Sequence, residues 1–257
     1  SPLKIFANAR ALKKLVQAVC FLLAAAPLYA QKDNIYNDLR KKYSNENAVF
    51  VSRKEHADIK FEKGKLVVYS HVYDELLLLT DKTSSFIDRN VYWSSFSEIQ
   101  DLEARTLVPD GNGYKTLKVK DFNKSNEISE GTFYDDLRSY DFVFPGLANG
   151  ARAIVSYTKK LNDPHLYGQF YFSSFAPTDD AEYSVTFPSD VKIHYKLFNA
   201  KDSAVQFTSK TSGKNTTYTW IMHGVKKIKN EDNAPSFSYY IPTIIVQGRY
   251  DMVCPPQ

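Results

Sequence analysis

Apolar residues recur at every second position over much of this chain, the period of a strand with one side turned to a core. Leu66, Val68 and Val72 share one face of a run whose other face carries Val67, Tyr69, His71 and Tyr73. Both faces hold apolar side chains, so the run fits a strand packed on both sides. Residues 59–62 precede it across Lys63-Gly64, and together they predict a hairpin. Leu76 to Leu79 is an unbroken apolar run of strand length. Residues 140–157 read as strand, turn, strand: Phe142 and Phe144 lead to Pro145-Gly146, and Ala151, Ala153, Val155 and Tyr157 alternate after Gly150.

Further strands are expected on either side of Pro109-Asp-Gly-Asn-Gly113, where proline sets φ and two glycines reverse the chain. Residues 114–122 return as a strand, and residues 123–131 read as a polar loop. Aromatic Phe170, Tyr171, Phe172 and Phe175 follow a turn at 162–164. Residues 182–187 and 191–198 flank Pro188, and residues 204–210 and 218–225 flank Ser212-Gly-Lys-Asn215. Many short strands between closely spaced turn signals predict an all-β fold, a β-sandwich of antiparallel strands. One short helix is allowed before it, through Ile35, Leu39 and Tyr43.

Composition agrees with this reading. The 257 residues include 18 Tyr and 17 Phe, which favour strands, and 43% of positions are hydrophobic, enough for a core. The formal charge of +4 comes from the first 30 residues, where Lys4, Arg10, Lys13 and Lys14 face no acid. Without these four, 29 basic residues stand against 29 acidic ones, so charge offers no case for nucleic-acid binding. Lys13 and Lys14 precede an apolar run and a small-residue region, Ala24-Ala-Ala-Pro27, the pattern of a secretory signal peptide. Its removal would leave no membrane span, and the chain is expected in an extracytoplasmic space, periplasmic or secreted. Cys254 would then be the only cysteine, which excludes an internal disulfide and a multi-cysteine zinc site. The expected organisation is signal peptide 1–30, polar segment 31–47, sandwich 48–246 and an unstructured or foreign tail 247–257.

Motifs for chemistry are sparse. The chain has no Gly-x-Ser-x-Gly elbow, no His-Glu-x-x-His, no phosphate loop and no dinucleotide-binding glycine pattern. His56, His71, His165, His194 and His223 are scattered. The acidic pairs Asp135-Asp136 and Asp179-Asp180 fit solvated loops better than a calcium or acid–base site. Asn215-Thr-Thr217 is a glycosylation-type triplet that marks an exposed turn. Phe170 to Phe175 would suit sugar or peptide stacking if exposed and a sandwich core if buried. No catalytic residue, cofactor or metal is expected from these patterns.

Ala104-Arg-Thr-Leu-Val-Pro-Asp-Gly111, Phe142-Val-Phe-Pro-Gly-Leu147 and Gly150-Ala-Arg-Ala-Ile-Val-Ser-Tyr157 come in order, before aromatic strands ahead of Pro177 and Pro188. In this order they resemble a bacterial family of unknown function, number 3857, over roughly residues 40–245. The resemblance implies an extracytoplasmic β-sandwich without catalytic residues of its own, placed before a transglutaminase-like domain that this sequence lacks. The segment Ile241-Pro-Thr-Ile-Ile-Val-Gln-Gly-Arg-Tyr-Asp-Met-Val-Cys-Pro255 instead resembles a late stretch of proline iminopeptidases, which are α/β-hydrolases. Asp251 matches their triad acid, although the serine elbow and the histidine that would complete it are missing. That likeness implies a chimeric frame, or else a prolyl aminopeptidase fragment.

Overall fold

Lys63 and Gly64 both take left-handed backbone angles, φ 50° and 78°, and turn β1 (Ala48–Glu62) into β2 (Lys65–Leu78). Two successive residues with positive φ match the twist of a tight hairpin. This pair lies at the centre of the computed structural model, which describes residues 27–126, 138–161, 168–201, 204–228 and 241–250. Residues 1–26, most of the expected signal peptide 1–30, lie outside the described residues, as do His165, Asp135-Asp136 and Asp251.

The other elements are α1 (Pro27–Lys42), β3 (Asp88–Trp93), β4 (Ser97–Asp110), β5 (Gly113–Lys118), β6 (Asn123–Asn126), β7 (Arg138–Val143) and β8 (Arg152–Leu161). They continue with β9 (Gly168–Tyr171), β10 (Thr178–Pro188), β11 (Val191–Phe198), β12 (Gln206–Ser212), β13 (Asn215–Val225) and β14 (Thr243–Tyr250). A large sheet runs β12-β13-β10-β1-β2-β8-β4-β5, and two small sheets run β11-β14-β9 and β3-β7-β6.

Both small sheets pack on the large one. Phe170, Val191, Ile244 and Val246 of the first meet Ala57, Tyr183, Val185 and Trp220. Val91 and Phe142 of the second meet Phe50, Leu76, Ala104 and Val155. Phe50 and Ala57 are seven positions apart and would face opposite sides of a regular strand. A bulge between Phe50 and Ser52 shifts the register, so both point to the small sheets. On the reverse face, α1 sets Leu39 against Val49, Leu77 and Leu79, with Ile35 and Tyr43 alongside. The helix falls where the spacing of Ile35, Leu39 and Tyr43 allowed one.

The all-β fold is as expected, with three differences. First, β1 and β10 pair in parallel, Phe50 opposite Thr178 and Asp58 opposite Thr186, so not every pair is antiparallel. The chain reaches β10 from β9 in a small sheet, and no hairpin turn dictates its direction. Second, the two strands of residues 140–157 do not pair with each other. β7 pairs with β3 and β6, and β8 pairs with β2 and β4. The link at Gly146 and Gly150, φ 66° and 79°, carries the chain from one layer to the other. Third, residues 123–126 of the expected polar loop form β6, and β14 extends past residue 246 to Tyr250. Thr243–Tyr250 of the segment that resembles a hydrolase thus form the central strand of a small sheet, with Ile244 fully buried.

Candidate functional site

One row of side chains crosses six strands of the large sheet on the face that α1 partly covers. It reads Thr219, Ser184, His56, His71, Thr158 and Gln100, each opposite the next. His56 Nδ1 lies 2.7 Å from Ser184 Oγ, and His71 Nδ1 lies 3.0 Å from Thr158 Oγ1. The two imidazoles stack 6.4 Å apart, within 13° of parallel. Burial holds the His56 pKa below its ordinary value, so its ring is neutral at pH 7.

A serine bonded to a neutral histidine is two thirds of a nucleophilic triad, and it warrants a geometric test. The other ring nitrogen of His56 faces Thr186 Oγ1 at 3.4 Å, where a triad would set a carboxylate. Ser184 is only 5% exposed. Its strand is flanked by β1 and β13, so neighbouring backbone N–H groups serve the ladders and none is spare to hold an oxyanion. The pair therefore knits strands together and has neither access nor the groups that acyl transfer needs.

The remaining sequence candidates disperse. His223 pairs with Asp180 at 3.1 Å on the rim, and His194 stands exposed on β11 opposite Gln247. Asp179 accepts from Lys42 at 2.7 Å and from the Tyr43 hydroxyl at 2.9 Å, tying α1 to the sheet. Asp179 and Asp180 thus have separate partners and do not work as a pair. Phe170 and Phe172 are buried, which removes the flat aromatic platform; only Phe175 is well exposed. Exposed rings gather elsewhere, at Tyr195 on β11 and Phe207 on β12. Asn215 opens β13 at an exposed turn.

A second polar cluster lies between the layers. Arg53 donates from Nε to Asp74 at 3.3 Å and from Nη1 to the carbonyls of Tyr171 and Ser173. Arg89 of β3 reaches the other oxygen of Asp74 at 3.6 Å and rests against the rings of both Phe50 and Phe175. The two guanidiniums join both small sheets to β2 through a single carboxylate. Next to them, Glu55 accepts from the Ser70 hydroxyl, and burial pushes its pKa up. Glu55, Ser70 and Tyr183 line a cavity of about 40 Å³ with apolar walls from Ala57, Val68 and Val246. This volume suits a water molecule better than a substrate. These charges escaped the sequence reading because charged residues at alternate strand positions look like a solvated face. The signal was there: Arg53 and Glu55 share the parity of Ala57 and Ile59.

A wider surface cleft of about 640 Å³ is flanked by Asp88, Asn90, Lys120, Asp121 and Asp141. Asp141 accepts from Asn90 at 2.7 Å, from Ser139 at 2.8 Å and from Ser125. These bonds, from Ser125 first, hold its carboxyl below the usual range. Among the described residues, no three His, Cys, Asp or Glu side chains come together to hold a metal ion. No helix among them is long and apolar enough to cross a membrane.

Comparison with known proteins adds to this geometry. The family DUF3857, described as a domain of unknown function with a solved structure, matches residues 64–229. No curated protein matches the chain. Among solved structures, that of a candidate protease from Parabacteroides distasonis aligns with a TM-score of 0.65 at 14% identity. The alignment takes in 79% of this chain and 40% of that one, so the chain spans well under half the length of the larger protein. At that identity the likeness concerns the fold alone.

Proposed function

The chain belongs to the DUF3857 family, and on that premise we propose that it is a non-catalytic module of an exported protein, ordinarily coupled to a transglutaminase-like domain. The observation that carries this reading is the His56–Ser184 pair. It is the nearest approach to a reactive centre among the described residues, and it lacks an acid, an oxyanion site and access. The share of the solved candidate protease that this fold takes up supports the same reading, since most of that longer chain lies elsewhere. A module of this kind contributes surface and position, and chemistry belongs to its neighbour.

Two measurements test the proposal. The purified chain is treated with a fluorophosphonate probe and with iodoacetamide, then assayed on proline p-nitroanilide. The expected outcome is no stoichiometric labelling of Ser184 and no turnover above background. Turnover that Ser184→Ala abolishes would reinstate the hydrolase. For export, residues 1–47 are fused to alkaline phosphatase in a bacterial host. Phosphatase activity is expected, and its absence would remove the extracytoplasmic part of the reading.

A further inference from the structure

The two outer edges of the large sheet differ. At one edge, β5 is six residues long and carries Lys115 and Lys118, charges of the kind that keep an edge from pairing. At the other, β12 is seven residues long, exposed throughout, and has one charge, Lys210. Its outward backbone groups form no ladder among the described strands.

Beside that edge lies a group of rings. Phe207 of β12 stacks on Tyr195 of β11 at 5.5 Å, and both are more than 40% exposed. Beneath them Trp220 is fully buried, 4.9 Å from Tyr195 and 5.4 Å from Phe207, and its indole N–H has no acceptor. Lysines stand close by: Lys210 on β12, Lys214 in the turn to β13, and Lys196 next to Tyr195 on β11.

We propose that β12 is a docking edge for an extended acidic segment of a partner polypeptide, which adds to the large sheet as a further strand. Backbone groups of β12 supply the pairing, Phe207 and Tyr195 receive apolar side chains at alternate positions, and the lysines attract the acids. A second copy of this chain fits less well. Two such edges would bury roughly 500 Å² in total, given strand and sheet spacings, well under the roughly 1,200 Å² of a stable pair. Two basic edges would also repel each other. The inference does not depend on the catalytic partner proposed above, because any acidic strand serves.

The probe is the heptapeptide acetyl-Glu-Val-Glu-Phe-Glu-Val-Glu-amide, titrated into the full chain carrying Trp93→Phe, so that Trp220 alone reports. Two further peptides are N-methylated at the odd or at the even residues. Successive N–H groups of a strand point to opposite edges, so only one pattern blocks pairing. The expected result is saturable binding that one pattern weakens at least about tenfold and the other leaves within about twofold. Phe207→Ser and Lys210→Glu each weaken binding about fivefold or more. Both positions are exposed, and unchanged thermal melts show that the variants fold. Equal affinity for the two methylated peptides, or no binding at millimolar peptide, would overturn the proposal. So would an acidic polysaccharide competing as well as the peptide, or a dimer in sedimentation that Phe207→Ser dissolves.

Discussion

Glu55 shows how one residue sets a pH dependence. Its carboxyl is enclosed by the layers and bonded to Ser70, with Lys159, Arg53 and Asp74 as charged neighbours, and burial raises its pKa above the ordinary 4.5. Between 4.5 and the raised value, the folded chain keeps a proton that the unfolded chain has released. Stability from this group is thus complete below 4.5 and falls as pH rises through the folded pKa. Glu55→Gln keeps an acceptor for Ser70 and removes the ionisation. Thermal melts between pH 4 and 8 should show the variant more stable than the parent at neutral pH and the difference vanishing at pH 4. An undiminished pH slope in the variant would refute this account. Gly168 makes a separate prediction. A Cβ there would overlap the Tyr183 hydroxyl, which sits at the end of a stiff ring only 1% exposed. Gly64 has a positive φ but open space around it. Gly64→Ala should therefore cost roughly 1 kcal/mol, and Gly168→Ala clearly more, as read from urea unfolding midpoints.

At the scale of elements, Phe172 marks the difference between a strand used as a platform and one used as a floor. It is fully buried and meets Phe170 edge to face at 5.2 Å. Phe172→Ala should cost about 3–5 kcal/mol in chemical denaturation, whereas the exposed Phe175→Ala should cost much less. Hairpins were legible because their signals are local. Lys63-Gly64, Gly111-Asn112 and Gly213-Lys214 each join strands that pair with one another. Pairings between distant segments were not legible. Pro145-Gly146 and Pro188 look like hairpin turns, yet each joins strands of different sheets, because a turn signal records a change of direction and not the partner that follows. Of the site, the His56–Ser184 contact and the Arg53–Asp74–Arg89 group were not legible, because both depend on register across strands.

For the molecule as a whole, β14 is the keystone of one layer. It lies between β11 and β9, and Thr243, Ile244 and Val246 are buried. Ending the chain at residue 240 would leave two strands without their partner and expose the core around Phe170 and Trp220. The truncated form is expected to bind a hydrophobic dye and to lose the sharp thermal transition of the parent; a cooperative melt within a few degrees of the parent would contradict this. The parallel contact of β1 with β10 has a consequence in time. Phe50 waits for Thr178, and every residue between them must be made before they meet. A ribosome therefore releases most of this polypeptide before its middle can lock, and β14 emerges later still. Slow closure of this kind leaves unpaired strands exposed for longer, so dilution and low temperature should raise the yield of refolded chain.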